Sequence, residues 1–149
     1  MLLILDKNTF SLQDKVELKD ENNNLKYWSI YDFAYKNRTR LFDENDNEIG
    51  YLQFKVLSSQ DEIGFYHIDG NKITSLKLNE DLKDEYYLET LNWYIKGDIK
   101  KWNYKVVDKD NKEIMSVETD KAIIIDDLDV VNCLMIIFAL GDYKQLIRS

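Results

Sequence analysis

His67 and Cys133 are the chain's single histidine and single cysteine. They are the side chains best suited to proton transfer or nucleophilic attack near neutral pH. An imidazole acts as a general base only when a nucleophile and an orienting group stand beside it. His67 lies in Gly64-Phe65-Tyr66-His67-Ile68, a strand-like run. No nucleophile, base and orienter set assembles around it in the sequence, and the run predicts a structural histidine on a strand. Cys133 lies in an apolar stretch, where burial without a cationic neighbour raises a thiol's pKa and leaves it inert. A single cysteine forms no intramolecular disulfide, and one histidine with one cysteine makes no zinc centre.

The carboxylates are more numerous. Asp43-Glu44-Asn45-Asp46-Asn47 begins like a calcium loop, with Asp43, Asn45 and Asn47 at its first, third and fifth positions. The sixth position requires glycine and is Glu48, and the twelfth requires glutamate and is Phe54. The stretch therefore reads as a solvated turn. No GxSxG, GxGxxG or Walker A pattern occurs. Nothing singles out a glycosidase-like carboxylate pair. No catalytic, cofactor-binding or metal-binding residue is assigned, and no cofactor is expected.

Basic residues give one cluster. Lys36, Arg38 and Arg40 alternate with other residues and would share one face of a strand. Such a face could meet phosphate or a phospholipid headgroup. The same three side chains would also solubilise a strand and blunt an edge. Lys100-Lys101 is a weaker second candidate. Twenty Lys+Arg stand against 28 Asp+Glu, a net charge of −8. That balance argues against nonspecific nucleic-acid binding.

The elements that would carry these residues are mostly strands. Leu25–Tyr31, Lys72–Leu78 and Trp102–Val107 show period-two patterning, although the buried face of Lys72–Leu78 is ambiguous. Between such segments stand Asp20–Asn24, Asp43–Asn47, Asp69–Asn71 and Asp108–Asn111. Asp and Asn bond the backbone of tight turns and tolerate the left-handed conformation. Each cluster predicts a hairpin, and many short hairpins predict an antiparallel sandwich or barrel. Leu41–Ile49 aligns with Val106–Ile114, 65 residues on. This suggests two related β halves, Leu25 to Leu91 and Trp93 to Ile125. In Tyr86-Tyr87 and Trp93-Tyr94 one ring of each pair must face outward, a candidate surface patch or dimer contact.

Leu128 to Gly141 breaks the pattern. Asp126-Asp127 suits a helix N-terminus and Gly141 a helix stop. From Val130 to Leu140, Asn132 is the conspicuous polar residue. A helix apolar on every side is buried or spans a membrane. This one, about 22 Å long, is too short to span. It needs apolar walls all round, which a β-barrel closed about it would supply.

Four stretches together resemble the LURP-one-related family, within the tubby C-terminal-like superfamily, whose bacterial members are small single-domain proteins. They are Arg40–Asp43 with Glu48–Gly50; Trp93–Ile99 with Trp102–Asp108; Lys112–Ile114 and its strand; and the apolar helix with Gly141-Asp142. The resemblance implies a twelve-stranded antiparallel barrel around a central hydrophobic C-terminal helix, one domain over 1–149. Plant members are linked to pathogen defence, tubby relatives bind phosphoinositides through a basic pocket, and phospholipid scramblases share the barrel. No headgroup-contacting residue transfers by position.

These readings converge on a mainly β protein, a non-enzymatic binding or scaffold module contacting a protein partner or a phospholipid surface, with Lys36, Arg38 and Arg40 as the candidate contact. The alternative is a small hydrolase or ligand-binding enzyme with a cleft not visible in sequence. The N-terminus lacks the basic start and apolar run of a signal peptide. With no transmembrane segment expected, the reading is cytoplasmic.

Overall fold

Four hairpins are built on one plan. In β2 (Val16–Lys19) to β3 (Leu25–Asp32), Asp20 opens the turn and its Oδ1 accepts the N–H groups of Asn22 and Asn24, each at 2.9 Å. In β4 (Arg38–Asp43) to β5 (Glu48–Val56), Asp43 does the same for Asn45 and Asn47. In β10 (Asn103–Asp108) to β11 (Glu113–Glu118), Asp108 serves Asp110 and Lys112. The fourth joins β6 (Asp61–Tyr66) to β7 (Lys72–Leu78) and has the same main-chain bonds, with His67 in the first position. The left-handed residue each turn needs is Asn23, Asp46, Gly70 or Asn111. A register shift follows in every case, at Leu18/Lys19, Leu41/Phe42, Phe65/Tyr66 and Val106/Val107. Such bulges bend and twist a sheet toward closure.

The computed structural model describes residues 1–5, 15–32, 37–56, 60–78 and 85–146. The remaining strands are β1 (Leu2–Leu5), β8 (Glu85–Leu88), β9 (Trp93–Asp98) and β12 (Lys121–Ile124). All twelve form one antiparallel sheet in the order β7-β6-β5-β4-β3-β2-β1-β12-β11-β10-β9-β8. The first strand thus lies mid-sheet, paired with β2 and β12. The last two in the order, β7 and β8, run side by side but no ladder joins them among the described residues. The expected closed barrel is therefore nearly closed, with one seam.

Leu41 pairs Gly50 and Phe42 pairs Glu48; 65 residues on, Val106 pairs Met115 and Val107 pairs Glu113. The ion pair Arg40–Glu48 likewise has a counterpart in Lys105–Glu113. Because β2–β3 and β6–β7 share the same bulged plan, the repeated unit visible here is the hairpin.

Helix α1 (Val130–Leu146) follows a short 3-10 turn over Asp127–Asp129, capped by Asp126, whose Oδ1 accepts the Leu128 N–H at 2.9 Å. Every residue from Cys133 to Lys144 is buried. The core includes inward side chains of strands throughout the sheet, such as Leu3, Leu18, Leu41, Leu52, Phe65, Leu88, Ile95 and Val117. The apolar helix thus has its walls on all sides. Gly141 does not end it. Glycine disfavours a helix interior by about 1 kcal/mol, but the following turn is buried and bonded. Asp142 meets Thr39, Tyr143 meets Asp61, and Lys144 meets the Lys100 carbonyl.

Two further expectations shift. His67 is not on a strand; it stands exposed in the turn after β6. Trp102 does not open β10. It holds φ 58° at the end of the 3-10 turn Ile99–Lys101 and is buried, with Lys144 Nζ 4.3 Å from its ring centroid. In β7 the inward face proves to be Thr74, Leu76 and Leu78, with Ile73 buried beside the bulge.

Candidate functional face on the outer barrel

Outward residues of β3 to β7 build a band of rings and cations. On β4, Thr39 and Leu41 point into the core, so Arg38 and Arg40 face out together. The shared face expected for these two is found; Lys36 lies outside the described residues. Arg40 holds Glu48 in a two-pronged contact, Nε to Oε1 at 3.1 Å and Nη2 to Oε2 at 3.0 Å. Its guanidinium lies 5.1 Å from the Phe42 ring centroid. Phe42 stacks on its cross-strand partner Trp28, with centroids 4.1 Å apart and planes 10° apart. The Trp28 indole N–H donates to Asp46, and Lys15 lies 4.3 Å over the ring.

Arg38 starts the second row. Its guanidinium lies 4.0 Å from the Tyr51 centroid, and its Nε donates to Gln53 at 3.4 Å. Tyr51 stacks on its cross-strand partner Tyr66 at 5.0 Å. Lys72 sits 6.0 Å from the Tyr66 centroid and pairs with Glu62 at 3.5 Å. Cations over ring faces are attracted by the ring quadrupole, and cross-strand stacking fixes the rings in place. The face offers planar guanidinium and phenol surfaces with carboxylates beside them. It is charge-compensated, unlike a simple basic pocket.

The other aromatic expectation is met too. Tyr86 and Trp93 are buried, while Tyr87 and Tyr94 face out and touch at 4.8 Å between centroids. Lys100 and Lys101 occupy the turn between β9 and β10, away from β4 in the strand order.

The reactive candidates are placed as follows. Burial pushes the Cys133 thiol up to about 12, with Asp129 adding to the effect. Asp43, first in the calcium-like loop, bonds its own turn, and those backbone donors hold its carboxyl below the usual range. Among the described residues no group of three or more His, Cys, Asp or Glu could hold a metal. Nor is any helix there long and apolar enough to cross a membrane.

One group escaped the sequence reading. Asp142 is buried in the barrel, its Oδ2 accepting from the Thr39 hydroxyl at 2.9 Å. Burial raises its pKa to about 7, against the lowering effect of that hydrogen bond. The available signal was its place directly after the apolar run, which reads equally as an exposed helix end.

A helix-filled antiparallel barrel with a polar, aromatic outer face defines the class. The chain belongs to the LURP-one-related family, whose profile matches residues 1–131. That match covers the strands and stops as α1 begins. The fold is also similar to the X-ray structure of the Arabidopsis thaliana protein AT5G01750, with a TM-score of 0.67 at 12% identity. The alignment covers 95% of this chain and 89% of the plant chain, so the likeness extends over the helix. No curated protein matches the chain.

Proposed function

We propose that the chain is a non-enzymatic binding module that meets a protein partner through the outer face of β3–β7. The observation that carries this reading is the Arg38–Tyr51–Tyr66 stack beside Arg40–Phe42–Trp28. Arg and Tyr held rigidly on a sheet are residue types that anchor protein interfaces, while Trp28 and Phe42 are themselves buried and serve to fix Arg40 in place. The helix occupies the barrel interior, which directs recognition to the outside. A cytoplasmic site of action fits this reading.

An anionic phospholipid surface is the second reading, favoured by Arg38 and Arg40 sharing that face. The Arg40–Glu48 pair weighs against it, because a carboxylate already holds the fork that would meet phosphate. The hydrolase alternative wants His67 in a cleft beside carboxylates, and His67 is in an exposed turn.

The test is quantitative co-precipitation from the native cells with wild type and with Arg38→Glu/Tyr51→Ala. Loss of the same set of proteins in the variant, at unchanged Tm, supports the reading; an identical set overturns it. Sedimentation with phosphatidylcholine vesicles, with and without phosphatidylserine, decides the lipid reading. Pelleting that requires phosphatidylserine and Arg38 would replace the protein partner with the membrane.

A further inference from the structure

Antiparallel strands with one face in the core normally turn polar residues outward. β2 does so with Glu17 and Lys19, and β11 with Ser116 and Glu118. The two strands between them, β1 and β12, do not. The run Ile123-Ile124-Ile125 puts only Ile124 inside; Ile123 and Ile125 are 46% and 53% exposed. The Ile125 N–H donates to the Ile114 carbonyl, so it prolongs the pairing of β12 with β11. On β1, Leu3 and Leu5 fill the core, so Leu2 and Ile4 turn outward. Leu2 stands opposite Ile123, and Ile4 opposite Lys121. Ile123, Ile125, Leu2 and Ile4 thus form one apolar patch, bordered across the ladders by Ser116 and Lys19. A contiguous apolar patch with a polar rim marks an interaction surface. Its two ends carry opposite charges. Lys121 precedes Ile123 by two residues, and Asp127 follows Ile125 by two. Both are exposed, and neither is in an ion pair among the described residues, although Glu118 stands opposite Lys121 on β11.

We propose that this patch is a homodimer interface, at which two copies of the chain pack outer face to outer face. The twofold axis lies in the contact plane and crosses β12 between Ile123 and Ile125. A twofold contact is self-complementary, so each residue meets one partner residue and the reverse also holds. With the two β12 strands antiparallel, Ile123 packs on the partner's Ile125, and Lys121 faces the partner's Asp127. Leu2 and Ile4 border the contact from β1. A parallel arrangement would set each Lys121 against its own copy, and like charges there would repel. The acidic end formed by Asp126 and Asp127 also disfavours an anionic membrane as the occupant. From β2 to β11 the patch and its rim are about 15 Å wide, at about 4.8 Å per strand spacing. That is the small end of specific interfaces, so the dimer forms only at high concentration. The surface lies outside β3–β7, and the inference stands independently of the partner proposed for that face.

Sedimentation equilibrium of the full chain tests the interface. Between about 10 µM and about 1 mM the weight-average mass should climb from 17.8 kDa toward twice that value. Ile123→Thr/Ile125→Thr keeps β-branched residues on the strand, so Tm should hold. The same pair should move the dimerisation midpoint to at least about tenfold higher concentration. Lys121→Glu and Asp127→Lys should each weaken the dimer severalfold, and the two together should restore it. A wild-type mass of one chain throughout the range overturns the proposal. So does a dimer that survives the threonine pair, or one that the double charge reversal fails to restore. Arg38→Glu should leave the curve unchanged; a dimer that it dissolves lies on the β3–β7 face and overturns the assignment to β1 and β12. A chain that stays monomeric, yet pellets with phosphatidylcholine vesicles only while Ile123 and Ile125 are present, overturns it in favour of a membrane.

Discussion

The Thr39 hydroxyl donates to the Asp142 carboxylate across 103 residues of sequence, joining β4 to the last turns of the central helix. This bond sits where water does not reach, so the proton on Asp142 is coupled to folding. The folded pKa is about 7 against an ordinary 3.8. The folded state therefore binds the proton more tightly than the unfolded chain. Stability should fall as pH rises from about 4 through 7, by on the order of 4 kcal/mol at most. Asp142→Asn keeps an acceptor for Thr39 and removes the charge. Urea unfolding between pH 5 and 8.5 should show a falling midpoint for wild type and a flat one for Asp142→Asn. A flat wild-type profile contradicts the sealed carboxylate.

The acid side has the opposite sign. Asp20 and Asp43 accept turn N–H groups that hold their pKa values below the ordinary carboxylate value. Their contribution is present above that value and disappears as pH falls through the depressed folded pKa values. Replacing both with alanine should lower Tm at pH 6 and shrink the wild-type drop in Tm between pH 4 and 2.5. Thermal melts across that interval check it.

Phe138 is fully buried in the part of α1 that is enclosed on every side. Phe138→Ala should destabilise by about 3–5 kcal/mol through the cavity it leaves. Phe138→Asp should yield no soluble folded protein, since a charge there has no partner. A cooperative melt from Phe138→Asp would refute the helix-filled barrel.

Gly97 holds φ +128°, and a Cβ placed there would stand 2.5 Å from the Asn103 carbonyl oxygen. Gly70 holds φ +92°, but its nearest neighbour would be the Tyr51 hydroxyl at 3.8 Å. Both alanine variants carry backbone strain of about 1–3 kcal/mol, and Gly97→Ala adds a clash with main chain that cannot swing away. Chemical denaturation should rank Gly97→Ala below Gly70→Ala. Equal midpoints would contradict the close β9–β10 approach.

Much of this architecture is legible in residue order. Asp20, Asp43 and Asp108 announce their hairpins because a short carboxylate can satisfy two turn amides. The run Val130–Leu140 announces a helix that needs apolar walls. His67 reads as a strand residue because the fourth hairpin keeps the main-chain plan and replaces the aspartate, so the turn signal falls on Asp69-Gly70-Asn71 alone. Gly141 reads as a helix stop because the reasons to continue the helix are Thr39, Asp61 and Lys100, all distant in sequence. The outer face was half readable. Arg38 and Arg40 share a parity, but Tyr51 and Tyr66 join them only through a strand register that no local pattern discloses. That β7 and β8 share no ladder among the described residues depends on which strands fail to meet, which is a property of the whole sheet.

In chain order the twelve described strands precede the segment that fills them. A nascent polypeptide emerging N-terminus first thus carries a full set of greasy inner surfaces before anything exists to plug them. β1 meanwhile waits for β12 as a neighbour. Transiently exposed apolar surface of that kind is prone to aggregate, and a stall just short of α1 would leave the chain at its most adhesive.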